Sequence, residues 1–192
     1  MRGSVFTAFT FIACCVVSTA TGSSIGTMFT SFPIFYPAGV LLGTNPVMLY
    51  GRFVGSWSVE SIWHFQEREG RKGEGEWHFS WILGGRGVQD VLYSLGSPAC
   101  ERGTTIRCYD ETADLWHVTW MQPAEGEFVH LIGRAEGERV VQVEKGSGQG
   151  GRIARWSFAD MTASSFLWIG EASTDGGASW KLEQEMKARR MR

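Results

Sequence analysis

From residue 51 onward the apolar positions repeat every second residue, and this period excludes almost every helical architecture. Trp180, Leu182, Gln184, Met186 and Ala188 alternate with Lys181, Glu183, Glu185, Lys187 and Arg189. Trp77, Phe79, Trp81 and Leu83 alternate with Glu76, His78 and Ser80, and Trp116, Val118 and Trp120 alternate with His117 and Thr119. A period of two places successive side chains on opposite faces of an extended strand, one face apolar and one wet. Helical spacing at i, i+3 and i+4 is not sustained anywhere in this region.

Turn-forming residues cut the pattern into short pieces. Gly84-Gly85, Asp110–Asp114, Glu125-Gly126, Glu136-Gly137 and Asp175-Gly176-Gly177 are examples, and Gly and Asp tolerate the positive φ that tight hairpins require. The intervals predict about ten strands, near 53–64, 74–83, 86–95, 103–110, 114–121, 127–135, 138–145, 152–159, 164–172 and 179–189. A long meander of hairpins removes its exposed edges most simply by closing into an up-and-down barrel. A sandwich needs longer Greek-key crossovers, which the intervals do not provide. The expected fold is all-β, an antiparallel barrel of about ten strands.

Charge placement sets the domain boundary. Between Arg2 and Arg52 there is no Asp, Glu, Lys or Arg, whereas Arg52 to Arg192 carries 17 bases and 20 acids. A globular domain needs charge on its wet face, so the sequence divides into an apolar leader, 1–47, and a barrel domain, 48–192. Three readings of the leader stay open. Arg2, the apolar run Val5–Val17 and Ser18-Thr19-Ala20 fit a secretory signal. As a membrane anchor, Val5–Ala20 is short, and Ile25–Tyr50 is interrupted by Pro33, Pro37 and Pro46. Alternatively, translation begins at Met48. The protein is secreted or membrane-anchored in the first two cases and cytoplasmic in the third. Cys100 and Cys108 can pair in an oxidising compartment or remain two thiols, while Cys14 and Cys15 belong to the leader. The formal charge of −2 excludes bulk electrostatic attraction to nucleic acid or anionic lipid, so membrane contact is expected only through the leader. There is no Cys-x-x-Cys, nucleotide-binding Gly loop or metal-ligand cluster, and no cofactor is expected.

Phe53-Val54-Gly55-Ser56-Trp57 opens the first strand with Gly-x-Trp. This opening resembles that of lipocalins and other calycins. The resemblance implies that Gly55 and Trp57 are structural, with Trp57 closing the barrel floor against a late Arg, here Arg189 or its neighbour Arg190. Region 51–192 also resembles a group of uncharacterised bacterial calycin-like proteins. That likeness lies in Gly75-Glu76-Trp77-His78-Phe79-x-Trp81, Gly85-Arg86-x-Val88-Gln89-Asp90-Val91, Gly103-Thr104-Thr105-x-Arg107-x-Tyr109-Asp110, Arg155-Trp156-Ser157-Phe158 and Asp175-Gly176-Gly177-x-x-Trp180. It implies a fold and carries no activity with it. Ser173 to Trp180 also fits the Asp-box pattern of sialidase-type propellers, but it occurs once rather than in repeated blades, so Asp175, Gly177 and Trp180 are expected to build one hairpin turn.

The expected interior is aromatic, with Trp77, Phe79, Trp81, Trp116, Trp120 and Trp156 on one parity of their strands. Arg86 and Asp90 share a strand face and are expected either to pair or to present a polar fork to a ligand. Arg107, Tyr109 and Arg155, each among aromatics, are further candidates for the polar lining. Three of the four His follow a Trp, and a surface or hydrogen-bonded role is the default over a haem ligand. The favoured function is a barrel that binds a small apolar or amphipathic molecule. The alternatives are an isomerase- or cyclase-type enzyme using a cavity Arg, Asp or His, and a structural domain filled by its own aromatics.

Overall fold

The computed structural model describes residues 47–64, 70–96, 103–146 and 151–192. The leader readings and Cys100 lie outside the described residues. A one-turn helix α1, Met48–Gly51, precedes ten strands: β1 Gly55–Trp63, β2 Lys72–Ile82, β3 Gly87–Ser94, β4 Gly103–Asp110, β5 Leu115–Gln122, β6 Glu127–Glu136, β7 Arg139–Glu144, β8 Ile153–Ala159, β9 Ser165–Ser173 and β10 Lys181–Arg190. Each strand pairs antiparallel with its sequence neighbours, and β10 returns to β1, closing the barrel. The closing register sets Trp57 opposite Arg190 and Val59 opposite Ala188. The ten expected strands are all present, each within a few residues of its expected bounds.

The alternation of the C-terminal segment is interrupted. A bulge between Leu182 and Gln184 shifts the register, so Leu182 sits opposite Glu171 and Gln184 opposite Gly170. An extra residue in one strand reverses which parity faces inward. Leu182 therefore shares the outer face with Glu171, and beyond the bulge Gln184, Met186 and Ala188 carry the inward parity down to Arg190. Trp180 lies before the strand and outside the wall, where the Arg155 guanidinium carbon stands 4.0 Å from its ring centre.

One end of the barrel is packed shut. Tyr50 and Phe53 enter from below and are almost fully buried with Trp57, Phe79, Trp116, Phe158 and Phe166. Phe53 lies 4.5 Å from Phe158 and 4.9 Å from Phe166 between ring centres, and Tyr50 meets Trp116 edge-on at 4.8 Å. Such tilted and edge-to-face pairs add stabilisation beyond area burial. Gly133 is required here because a Cβ would come within 2.4 Å of the Tyr50 hydroxyl.

The floor is locked by an arginine. Arg190 stacks 4.1 Å above the Trp57 ring and donates to the carbonyls of Ala163, Val54 and Arg52 at 2.8, 2.9 and 3.1 Å. Trp57 Nε1 donates to Phe53 O at 2.7 Å. Gly55, at φ +126°, leaves room for this guanidinium, since a Cβ there would sit 2.6 Å from Arg190 Nη1. The Gly-x-Trp opening thus has a steric cause: glycine admits the arginine that covers the indole. The arginine is Arg190, and the assignment to Arg189 is corrected. Trp57 and Arg190 face each other across the closing pair, and the adjacent Arg189 points to the outer face opposite Ser58.

Candidate functional site

Above the floor the wall side chains stop filling the space, and a cavity of about 670 Å³ runs to the other end. Glycines on the strands make room for the indoles beside it. A Cβ on Gly103 would lie 1.9 Å from the Trp120 ring, one on Gly73 2.7 Å from Trp63, and one on Gly170 2.6 Å from Trp168. Glycine in a strand interior allows a close approach that other residues block. Each of these indoles occupies the space that a Cβ on its glycine would take.

The indoles form a continuous lining. Trp120 meets Trp156 at 6.2 Å, Trp156 meets Trp168 at 5.8 Å, and Trp168 meets Trp77 at 6.5 Å between ring centres. Trp120 Nε1 donates to Glu127 Oε2 at 2.8 Å, fixing the ring near the mouth. The mouth itself is charged, with Lys72, Glu74, Glu127, Arg152 and Glu183 at the rim, where Arg152 and Glu183 form an ion pair. The β10 bulge contributes to this rim, because Glu183 and Gln184 both border the cavity.

The inner end is polar. Arg107 lines the cavity and is 1% exposed, and it forms an ion pair with the fully buried Asp90 behind it. Its guanidinium carbon lies 5.1, 5.6 and 5.8 Å from the ring centres of Tyr50, Phe79 and Phe158. A buried arginine between aromatic faces and a carboxylate is held in one geometry. Burial raises the Tyr50 phenol well above the usual tyrosine range, with the Arg107 charge opposing that shift.

Of the residues expected to line a ligand site, the cavity brings together Trp77, Trp120, Trp156 and Arg107. Phe79 and Trp116 belong to the packed floor. Asp90 is enclosed behind Arg107. Its partner is Arg107 and not Arg86, which is exposed beside the Leu83–Gly85 turn with its Nε 3.4 Å from Leu83 O. Arg86 precedes β3, so the strand geometry that suggested the Arg86–Asp90 face does not extend to it. Trp81 keeps the inward parity but lies at the floor end of β2 and is 39% exposed. Tyr109 also sits at the floor end, donating to Asp114 Oδ1 at 2.6 Å, and this bond is the main cause that pushes its pKa up to about 12. Arg155 faces outward, bonded to Glu171 at 2.9 Å.

The Asp-box residues build a turn at the mouth end. Asp175 accepts from Ser173 Oγ, Ser179 N and Ser179 Oγ at 2.7, 2.9 and 2.6 Å, and Gly177 adopts φ +94°. These hydrogen bonds hold the Asp175 carboxyl well below the usual range. All four His are away from the cavity: His64 bonds Glu185, His78 bonds Ser56 and Glu76, His117 approaches Asp110, and His130 bonds Thr119. Among the described residues no group of His, Cys, Asp and Glu could hold a metal ion.

Trp63, Trp168 and Tyr50 were not anticipated as site residues. Trp63 continues the inward series from Trp57, and Trp168 shares the parity of Phe166, so the alternation carried both. Tyr50 precedes the first strand and has no period to reveal it.

No family model and no curated protein matches the chain. Solved structures do. The crystal structure of Rv2717c from M. tuberculosis superposes with a TM-score of 0.54 over 77% of this chain and 98% of that one, at 9% identity. The structure of EF1p2_mFAP2b bound to DFHBI covers 77% of this chain and 100% of the other, with a TM-score of 0.37 and 13% identity. The likeness to the first is one of fold: a closed, lipocalin-like antiparallel barrel.

Proposed function

We propose that this protein binds a small, flat, largely apolar molecule among the indoles of its barrel, as a member of the calycin-like class. The observation that carries this reading is the cavity of about 670 Å³ bordered by Trp63, Trp77, Trp120, Trp156 and Trp168. Its volume falls within the range of about 300–1,000 Å³ typical of small-molecule pockets. The floor is already filled by its own aromatics, so the upper space is not needed to complete a core. Gly73, Gly103 and Gly170 leave room for the indoles where a Cβ would meet them. A binding role is favoured over catalysis because Asp90 is sealed behind Arg107, Arg86 is outside, and no His borders the cavity.

Titration of the protein with N-phenyl-1-naphthylamine tests the reading. The expected result is saturable probe fluorescence with a micromolar Kd and parallel quenching of tryptophan emission. A panel of fatty acids, retinoids, haem and aromatic polyketides then ranks ligand shapes by displacement. Absence of saturable binding across probe and panel, with no thermal stabilisation, would leave a purely structural barrel as the better account.

A further inference from the structure

The inner end of the cavity holds two buried donors with nothing to donate to. Trp77 is 3% exposed and Arg107 1%, both border the cavity, and neither Trp77 Nε1 nor Arg107 Nε has a hydrogen-bond partner. Buried N–H groups are paired in the great majority of native sites, and two orphans beside one open space point to an acceptor that enters it. Trp120, nearer the mouth, shows the contrast, since its Nε1 is already taken by Glu127. We infer, resting on the binding role proposed above, that the ligand carries an uncharged carbonyl-type oxygen at its leading end, received by Trp77 Nε1–H or by Arg107 Nε–H.

The choice of a neutral oxygen over a carboxylate follows from charge. Arg107 is already matched by Asp90, so the pair presents donors without net positive charge. A carboxylate entering this end would bury a second anion against one guanidinium, with Asp90 Oδ1 itself lacking a partner. Uncompensated buried charge is far more costly than a satisfied neutral hydrogen bond. The five indoles of the lining favour an aromatic body behind that oxygen, so the class is an aromatic ketone, quinone or lactone that enters oxygen first.

Calorimetric titration of the full chain with 2-acetylnaphthalene, 2-ethylnaphthalene and 2-naphthoate tests this. These probes share a ring system and differ at the leading group. The ketone is expected to bind about tenfold or more tightly than the hydrocarbon, the factor of one well-made hydrogen bond, and more tightly than the carboxylate. Trp77→Phe, which keeps an aromatic ring and removes the N–H, should reduce the ketone-to-hydrocarbon ratio severalfold. Arg107→Lys keeps the charge facing Asp90 and removes Nε, and it should act in the same direction if Trp77→Phe does not fold. Equal affinity for ketone and hydrocarbon overturns the inference while leaving the binding role intact, and means that buried water serves the two donors. Tightest binding of the carboxylate overturns it as well, as does a ratio unchanged in both variants. Failure of all three probes to bind overturns the binding role and this inference together.

Discussion

Replacing Arg190 by alanine removes the floor lock and leaves every core side chain in place. The loss can be assembled from the geometry. Three N–H···O=C bonds are removed, each worth about 0.5–1.5 kcal/mol net. The stack on Trp57 adds about 0.5–1 kcal/mol at an exposed site. Because Arg190 is partly wetted, the lower half of these ranges applies, giving a loss of about 2–3 kcal/mol. At about 2–4 °C per kcal/mol for a domain near 150 residues, the melting temperature should fall by about 5–10 °C. Arg189→Ala is the internal control, because it changes the same residue type one position away on the outer face and should shift melting by little. Arg190→Lys should lie between the two, retaining a charge over the indole but losing the planar fork that reaches three carbonyls. Thermal unfolding followed by circular dichroism distinguishes these outcomes. If Arg190→Ala and Arg189→Ala melt together, the guanidinium is a surface ornament and the explanation of the Gly-x-Trp opening is wrong.

Tyr50→Phe removes a buried hydroxyl that has no partner, so the unfolding free energy from urea titration at pH 7 should be unchanged or higher by up to about 1 kcal/mol. The raised Tyr50 and Tyr109 values mean that stability is intact below the unfolded tyrosine pKa of about 10 and declines as pH rises above it. Tyr50→Phe should retain more of its neutral-pH stability at pH 11 than the parent, and a marked loss already at pH 7 would contradict the packing described. Gly103→Ala forces the Trp120 indole off the wall and into the lumen, because the new Cβ would sit 1.9 Å from the ring. N-phenyl-1-naphthylamine affinity should fall by about tenfold or more, equivalent to at least about 1.4 kcal/mol, and an unchanged Kd would show that the indole is not what borders the binding space. Trp57→Ala should cost about 3–5 kcal/mol, as for other buried aromatics, and a melting shift no larger than that of Arg189→Ala would refute its place in the floor.

Strand number and order were readable because alternation and turn residues are local signals, and a meander adds little beyond them. Where the reading failed, a non-local or sub-residue cause was responsible. Arg86 and Asp90 are four positions apart, yet the chain turns at Gly84-Gly85 and Arg86 never joins the strand. The true partner, Arg107, comes from the next strand through a register that spacing does not reveal. Arg189 and Arg190 are indistinguishable in composition, and only the closing pair with β1 decides between them. The β10 bulge flips parity without any glycine or proline to mark it. Parity also cannot separate floor from lumen: Trp116 and Trp120 face the same way, but Trp116 packs on Tyr50 whereas Trp120 lies against Gly103 and borders the cavity. Depth along the barrel, which decides which aromatic meets a ligand, is a tertiary property.

Nine of the ten strand pairings are between sequence neighbours, and the β1–β10 seam alone joins the two ends of the domain. Local hairpins form at little loop-closure cost, so the seam concentrates the non-local part of folding into one late event. Until it zips, β1 and β10 each present an unpaired amide ladder, the template on which chains add to one another. A chain cut short before Lys181 would keep most of its pairings and none of its closure, leaving β1 and β9 as permanent edges. Such a product is expected to be lost to self-association rather than to unfolding, so the last ten residues of the barrel are as much a guard on solubility as a contribution to stability.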